Sequence, residues 1–369
     1  MMLPGFISKR RVTVCVALLV AATTATALAA TLLETMDQEV SAIFEKSKDA
    51  IVKVHAIRQI RVGNFSFLPL HRIGTGFFVD QNGHLLTAAT VVDGAENCWI
   101  DWRGQRMNAS IVGCDLPTNL ALLKIDDGTN VATPFLPQGN SDDLHPGSMV
   151  IAIGFPYDLS SVPVVGFVGG LDIQRGEHVF ATSHIRAGCR LSPGQGGGPL
   201  LNARGEVVGI AVAAHMDDQC YALPMNAARK VYSDILKYGQ SQRTWVGLGI
   251  AERRRIEPDT GQEDSRVLVQ QVYSNAPAAR AGFCDGDVLV RIGTNDVRSS
   301  ADILNTMFYC HVGDHVQFTV LRDGQEQSIT LIVGSRPPEE TGPVQRTPPP
   351  VLLRQVNEWP TIVPAAHER

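Results

Sequence analysis

The sequence of 369 residues is short of aromatic side chains, of charged residues and of any long basic run. Aromatic residues make up 6% and charged residues 19%, and the formal net charge is −5. Proteins that bind nucleic acids cluster Lys and Arg to neutralise phosphates, so this composition predicts no nucleic-acid partner. The hydrophobic share of 44% and a mean hydropathy of +0.02 exclude both a multi-span membrane protein and a wholly disordered chain.

Sequence patterns for metals and cofactors are also missing. The sequence has no C-x-x-C pair and no Cys/His cluster, and zinc sites are built from such spacings. We therefore expect no metal and no cofactor.

The first 29 residues have the pattern of a targeting segment. Lys9, Arg10 and Arg11 precede the apolar stretch Val12–Ala22, and a small-x-small cleavage pattern ends at Ala29. This order is typical of a signal peptide, and the apolar stretch is short for a membrane span. An uncleaved anchor stays open, because residues 12–30 carry no charge. The chain is therefore predicted to be exported, to the periplasm or to the membrane surface.

Six cysteines remain once Cys15 of the targeting segment is set aside, and an exported chain permits disulfides between them. They are Cys98, Cys114, Cys189, Cys220, Cys284 and Cys310. Six cysteines allow 15 pairings, so their spacing selects none of them. Several are equally compatible with free, buried thiols that pack as small apolar groups.

Short apolar runs separated by Gly, Asn and Asp fill residues 50–225. Such runs predict an all-β barrel or sandwich. Helical spacing of apolar residues predicts one helix before this region, over Glu34–Lys48, and one after it, over Asn226–Lys237. Residues 30–240 are thus predicted to form one mainly β domain with an N-terminal helix.

Residues 241–334 form a second predicted unit of about five strands and one helix. The step Arg322-Asp323-Gly324-Gln325 between its last two strands is a hairpin signal. The pattern then stops, and eight of the 21 prolines fall between Pro337 and Pro364. Residues 335–369 are therefore predicted to be an extended, poorly packed tail.

Three segments of the first domain resemble the trypsin-like proteases of the HtrA (Deg) family. Residues 74–92 are similar to the strand that leads into T-x-x-H-V-V, and residues 115–125 to D-x-x-x-D-L-A-x-L-K-I. Residues 192–202 are similar to N-P-G-N-S-G-G-P-L, and Gly205–Ile210 and Tyr221–Pro224 also fit. The resemblance covers about residues 36–334 and implies a two-barrel trypsin-like domain followed by one PDZ domain.

The resemblance places the family's catalytic triad on residues that lack its chemistry. The histidine position is Thr90, the aspartate position is Asn119 and the serine position is Gly196. A serine hydroxyl needs an imidazole base, which in turn needs a carboxylate to orient it. Losing the nucleophile or the base alone costs on the order of a millionfold in turnover. No catalytic residue is therefore assigned.

Two remnants of this chemistry are candidates. The amides of Gly194 and Gly196 could still face a carbonyl as an oxyanion loop, but the sequence favours a loop that is merely flexible. A replacement triad would need Ser192 or another nucleophile beside a histidine, and we do not expect one. The candidate histidines are His84, His178, His184 and His215.

The second domain keeps more of its family's apparatus. Trp245-Val246-Gly247-Leu248 is similar to the x-Φ-G-Φ loop with which PDZ domains hold a peptide C-terminus. Asn275–Gly282 and Gly286–Leu289 match the N-S-P-A-A-x-A-G-L…G-D-x-I pattern of this domain. The alternative to peptide binding is a domain that only docks on its neighbour.

The resemblance thus implies an exported pseudoprotease that binds peptides or proteins as a chaperone, a scaffold or a regulator of an active relative. The alternatives are an active serine endopeptidase and a structural envelope protein with a closed PDZ groove. Family members commonly form trimers, with Phe65 and Phe67 as candidate contacts here. In trypsin-like folds the segments of Cys189 and Cys220 flank the specificity pocket, so a disulfide between them is predicted. Pairs Cys98–Cys114 and Cys284–Cys310 are weaker candidates.

Overall fold

A computed structural model describes residues 33–62, 66–126, 132–175, 178–214, 219–256 and 263–335 of the chain. The predicted targeting segment, the proline-rich tail, Phe65 and His215 lie outside these ranges. The side chains of Phe67 and His178 are likewise not among the described parts.

The first helix, α1, covers residues 33–47 and continues into a 3-10 turn, Lys48–Ala50. Ile43 is buried on one face of α1, with Val40 and Phe44 packed beside it. This one-sided apolar stripe is what the helical spacing predicts, and it anchors α1 on the barrels.

Six antiparallel strands close into a first barrel in the order β1-β2-β3-β6-β5-β4. Their bounds are β1 Ile51–Val62, β2 Ser66–Phe78, β3 His84–Ala88, β4 Asn97–Trp102, β5 Gln105–Asp115 and β6 Leu120–Ile125. A one-turn helix, α2 (Ala89–Val92), follows β3 directly. The barrel interior is filled by side chains such as Phe78, Leu85 and Ile100, which are fully buried.

A second barrel closes in the order β10-β11-β12-β9-β8-β7. Its strands are β7 Met149–Gly154, β8 Val162–Arg175, β9 His178–Ala187, β10 Pro199–Leu201, β11 Val207–Ala214 and β12 Cys220–Pro224. Helix α3 (Met225–Tyr238) then ends at Gly239, whose φ of 77° suits the left-handed cap. One apolar core runs from the second barrel through α3 to Leu120 and Leu122 of the first, so the barrels pack as one domain.

The C-terminal domain is a twisted sheet with two short helices. Its strands are β13 Thr244–Trp245, β14 Leu248–Ile256, β15 Glu263–Val272, β16 Val288–Ile292, β17 Asn295–Asp296, β18 His315–Arg322, β19 Gln325–Ile332 and β20 Gly334–Ser335. Its helices are α4 Pro277–Ala281 and α5 Ser300–Phe308. The main sheet runs β14-β15-β16-β18-β19, so β14 is an edge strand. Arg322 pairs with Gln325 across the predicted hairpin, where Asp323 and Gly324 both have positive φ.

Helix α5 also contacts the second barrel. The Asn305 Oδ1 atom accepts hydrogen bonds from Thr182 Oγ1 at 2.6 Å and from Ser183 N at 3.1 Å. Lys230 Nζ of α3 lies 5.5 Å from the centre of the Phe308 ring. These contacts join the two domains through α5. The architecture confirms the predicted fold class, a mainly β double barrel followed by a small C-terminal domain.

Candidate functional site

The three triad positions converge where the two barrels meet. A Cβ built on Gly74 of β2 would lie 2.4 Å from Val91 of α2 and 3.1 Å from the Gly196 carbonyl oxygen. A Cβ built on Gly197 would lie 2.5 Å from the Ala88 amide nitrogen, at the end of β3. The loop with Gly196 therefore lies against the start of α2, which carries Thr90.

Asn119 is joined to Thr90 and to the second barrel by hydrogen bonds and not by charge. Its Oδ1 accepts from the Thr90 amide at 2.8 Å, and its Nδ2 donates to the Val212 carbonyl of β11 at 2.7 Å. The residue is buried and has a φ of 54°, a left-handed conformation that asparagine tolerates. Because both ends of the carboxamide are used, Asn119 fastens the first barrel to the second.

Thr90 itself is exposed, and its carbonyl accepts from Arg72 Nη1 at 2.8 Å. A threonine side chain ends in a hydroxyl and has no basic nitrogen, so it takes up no proton near neutral pH. The position is thus open to the cleft, but it carries no base.

The loop of residues 192–198 is bound to Thr75 of β2 by two hydrogen bonds. The Thr75 amide donates to the Gly196 carbonyl at 2.9 Å, and its hydroxyl donates to the Gly194 carbonyl at 2.8 Å. The Gly197 amide donates to Ala211 of β11 at 2.7 Å. These bonds correct the expectation of a merely flexible loop, because they tie the loop to both barrels.

The glycines of this loop are not equivalent. A Cβ on Gly194 (φ 96°) would lie 2.3 Å from the Phe155 carbonyl oxygen, and one on Gly197 (φ 87°) 2.3 Å from the Thr75 carbonyl oxygen. A Cβ on Gly196 would meet nothing within 4 Å. Gly194 and Gly197 are therefore required by the backbone, whereas position 196 has room for a side chain.

Ser192 has no histidine partner among the described residues. Its amide donates to Gln195 Oε1 at 2.7 Å. Of the histidines proposed as substitutes, His84 contacts Asp80 at 2.6 Å and His184 contacts the Thr182 carbonyl at 2.8 Å. The geometry of the described residues therefore offers no replacement triad.

A polar cluster that the sequence analysis did not single out lies on the first barrel. His55 Nε2 lies 3.0 Å from Asp101 Oδ2, and His55 Nδ1 lies 3.1 Å from His71 Nε2. The His55 ring also stacks on Trp99 at 5.0 Å. Strand β1 pairs with β4 to place His55 opposite Trp99, so the cluster depends on long-range pairing that local spacing does not reveal.

Burial is the main cause that lowers the pKa of His55 below 6.5, and His71 adds to it, while Asp101 and Asp158 oppose it. The folded protein thus favours the neutral imidazole of His55. The contribution of His55 to the free energy of unfolding is present above pH 6.5 and is lost as the pH falls below that value. We expect the melting temperature to fall between pH 7.5 and pH 5.5 through this residue. Thermal melts of His55→Gln should show a smaller fall, whereas the exposed control His145→Gln should follow the parent. Equal pH dependence of all three proteins would contradict this assignment.

Cys189 and Cys220 are both buried, and their thiols lie within hydrogen-bonding distance. Pairing of Cys220 with Ala187 brings β12 beside the end of β9. The hydrogen bond from Cys189 and burial raise the pKa of the Cys220 thiol far above its usual range, so it is not a thiolate nucleophile.

Both residues are free thiols in this structure, and the disulfide between them stays a prediction. We expect protein that is purified without reductant from an oxidising compartment to contain this bond. Non-reducing peptide mapping would then give one Cys189–Cys220 peptide. Free, alkylated Cys189 in that map would contradict the prediction.

The predicted carboxylate loop forms the turn into β14. Gly247 has a φ of 76°, and a Cβ there would lie 2.1 Å from Ala276 and 3.2 Å from the Trp245 ring. The carbonyls of Val246 and Gly247 accept from Ala278 and Tyr273 at 2.9 and 3.0 Å. No carbonyl of the described residues accepts from the amides of Val246 or Gly247.

Of the four predicted loop residues, Trp245 ends β13 and Leu248 begins β14, while Val246 and Leu248 pack on the core of this domain. Trp245 pairs with Gly334 of β20. Opposite β14 lies α5, whose first residue, Ser300, donates from its amide to Glu252 of β14 at 3.2 Å. An edge strand with a helix beside it is the arrangement to which a peptide adds as a further strand.

Within the described ranges, no three metal-binding side chains come together, and no helix is long and apolar enough to cross a membrane. The site thus consists of a triad-like cleft between the barrels and a turn of amides on the C-terminal domain.

Comparison with known proteins identifies both domains. Residues 74–210 match the trypsin-like peptidase domain and residues 247–333 the PDZ domain. A relative from Halomonas elongata, named as a DegP-like periplasmic serine endoprotease, is 30% identical over 278 residues. That match covers 73% of this chain and 58% of the relative, so the chain spans about three fifths of that relative's length. HhoA of Synechocystis sp., named as a serine protease, is 30% identical over 277 residues, with 70% of this chain and 69% of HhoA covered.

Solved structures agree with this comparison. The HtrA-type protease AlgW with tripeptide has a TM-score of 0.66 and 25% identity, and the match covers 82% of this chain and 99% of AlgW. The double barrel, the PDZ domain and these relatives together establish that the chain belongs to the HtrA family of trypsin-like proteins with one PDZ domain.

Proposed function

We propose that this HtrA-family protein is a pseudoprotease, which binds peptides or unfolded proteins without cleaving them. The observation that carries the proposal is the set of side chains at the three converging positions, Thr90, Asn119 and Gly196. The hydrogen bonds of Thr75 with the Gly194 carbonyl and of the Thr90 amide with Asn119 fix the backbone around these positions. A formed cleft without nucleophile, base or carboxylate supports binding rather than hydrolysis.

The binding partner we propose is a protein or peptide C-terminus at the PDZ domain. The amides of Val246 and Gly247 have no acceptor among the described residues, and the edge strand β14 contacts α5 through Glu252 and Ser300. Amides that converge on a carboxylate make charge-assisted hydrogen bonds, and the peptide strand adds backbone bonds along the edge. A single module of this kind binds with an affinity in the micromolar range, worth about 8 kcal/mol.

We further propose that the protein is exported to the periplasm or is held at the membrane by its N-terminal segment. We also propose that it works as a trimer. Several relatives are named as periplasmic endoproteases. Clustering of PDZ domains in a trimer would raise affinity through avidity. A mixed assembly with an active HtrA relative would make the chain a regulator, whereas assembly with itself would suit a chaperone or scaffold.

A second candidate function is active endopeptidase, which the names of the relatives favour. One experiment separates the two functions. Calorimetry of the full mature chain with paired C-terminal acid and amide peptides is followed by mass spectrometry of the same samples. We expect micromolar binding of the acid, binding of the amide at least about tenfold weaker, and intact peptide after overnight incubation.

The outcomes that oppose the proposal are distinct. Cleaved peptide together with a specific fluorophosphonate adduct would establish a nucleophile and the endopeptidase function. Equal binding of acid and amide would show that the PDZ groove does not read a carboxylate, and a docking role for this domain would then be the better account.

A further inference from the structure

A cavity of about 530 Å³ lies between the second barrel and the PDZ domain. The 3-10 turn Ser141–Asp143, β8, β9 and the start of α3 form one side of it, and β17 and α5 form the other. Its volume falls within the range of about 300–1,000 Å³ that small-molecule sites occupy. Neither the triad positions nor the turn of residues 246–248 lines it. The cavity is therefore separate from both sites described above.

The lining of this cavity is polar but carries little charge. Three asparagines, two serines, a threonine and a tyrosine line it, and Asp142 is the one charged side chain among the described lining residues. Amide and hydroxyl side chains both donate and accept hydrogen bonds. A lining without a basic residue does not suit an anion, and a lining rich in donors does not suit a metal cation. These features favour a neutral ligand with many hydroxyl groups.

Asn305 of α5 offers the cavity two oriented donors. Its Oδ1 accepts from Thr182 Oγ1 at 2.6 Å and from Ser183 N at 3.1 Å, so the carboxamide is held in one orientation. The Nδ2 atom lies on the other side of the same carboxamide and donates to no described residue, although Asn305 lines the cavity. A donor that is already oriented loses less conformational entropy when a ligand binds.

Tyr309 and Asp142 come close to each other at this boundary between the domains. Burial is the main cause that raises the pKa of the Tyr309 hydroxyl, and the Asp142 carboxylate adds to it, while Thr182 opposes it. The phenol therefore stays protonated near neutral pH. Asp142 is exposed, and its carboxylate accepts from no group of the described residues. A neutral hydroxyl and a free carboxylate are thus near enough to bind the same ligand.

We propose that this cavity binds a neutral saccharide. Sugar hydroxyls both donate and accept, as the amides and hydroxyls of the lining do, and two neighbouring hydroxyls can donate to the two oxygens of Asp142 in charge-assisted hydrogen bonds. The C–H face of a sugar ring is apolar and can pack on Tyr309 or Leu171, which also line the cavity. Because both domains line it, a bound saccharide would hold α5 against the second barrel. The inference depends neither on the loss of catalysis nor on peptide binding.

The cavity supplies two conservative variants for the test. Asp142→Asn keeps the size of the side chain and removes its charge, and Tyr309→Phe removes only the hydroxyl. Asp143→Asn is the matched control, because Asp143 is the next residue, is also exposed and does not line the cavity. Asn305 is unsuitable for substitution, since its Oδ1 joins the two domains.

The experiment is calorimetry of the full chain with N-acetylglucosamine, its disaccharide and maltose as neutral sugars, and with glucosamine as the cationic counterpart of the first. We expect at least one neutral sugar to bind the parent and Asp143→Asn with a dissociation constant in the millimolar range. Its affinity should fall at least about tenfold in Asp142→Asn, and by about three- to tenfold in Tyr309→Phe. Hydrogen exchange of the Ser183 amide, which donates to Asn305, should slow when that sugar is bound.

Three results would overturn the inference. Absence of binding by every neutral sugar up to about 50 mM would show that the cavity is not a saccharide site. Sugar binding that neither variant weakens would place the sugar elsewhere on the chain. Glucosamine that binds at least about tenfold more tightly than N-acetylglucosamine, and only while Asp142 is present, would identify a site for amines instead. Peptide binding at the PDZ domain is measured separately and would stand in all three cases.

Discussion

The triple variant Thr90→His, Asn119→Asp, Gly196→Ser should hydrolyse unfolded casein at least about a thousandfold faster than the parent, which should stay at background. Position 196 has room for a serine side chain, Thr90 is exposed to the cleft, and the Thr90 amide already bonds to residue 119. Because the triad acts as a unit, each single substitution alone should stay at background.

The double variant Thr90→His, Gly196→Ser is the informative intermediate. It retains Asn119, whose carboxamide is neutral and therefore cannot stabilise an imidazolium by charge. Its Nδ2 donates to the Val212 carbonyl instead. We expect its rate to fall back to the background of the parent, because replacing the carboxylate by an amide costs on the order of ten-thousandfold in turnover. Casein cleavage and fluorophosphonate labelling of the series measure this. Hydrolysis by the parent equal to that of the triple variant would contradict the pseudoprotease proposal.

Gly197→Ala should destabilise the protein severely, by about 4 kcal/mol or more. Its φ of 87° suits glycine, and an added Cβ would lie 2.3 Å from the Thr75 carbonyl oxygen and 2.5 Å from the Ala88 amide nitrogen. These are backbone atoms of two strands, which cannot move aside cheaply. We expect a melting temperature at least about 10 °C below the parent, or an insoluble product.

Gly196→Ala is the neighbouring control for this effect. It adds the same methyl group one residue earlier, where nothing lies within 4 Å, and its melting temperature should match that of the parent. Scanning calorimetry of both variants decides the matter. Equal melting temperatures for the two would show that the loop is more pliable than its hydrogen bonds with Thr75 indicate.

Several features followed from local sequence alone. Short apolar runs over residues 50–225 predicted a barrel or sandwich, and helical spacing predicted the helix Asn226–Lys237, since apolar periodicity acts over a few residues. The division into two barrels followed from the resemblance. The hairpin at Asp323-Gly324 followed from two adjacent residues that accept positive φ. The triad positions followed from resemblance, because flanking motifs set their register on both sides.

Tertiary structure alone decided what the site residues do. Asn119 read as a missing carboxylate, but the structure gives it a structural bond to Val212, 93 residues away in sequence. A run of three glycines read as a flexible loop, yet two strands approach Gly197 while Gly196 faces open space. The His55 cluster and the contact of Asn305 with the second barrel likewise needed strand and domain pairing. Sequence therefore determined the elements and the absence of the triad side chains. The roles of the residues that remain were decided by contacts between distant segments, which local periodicity does not encode.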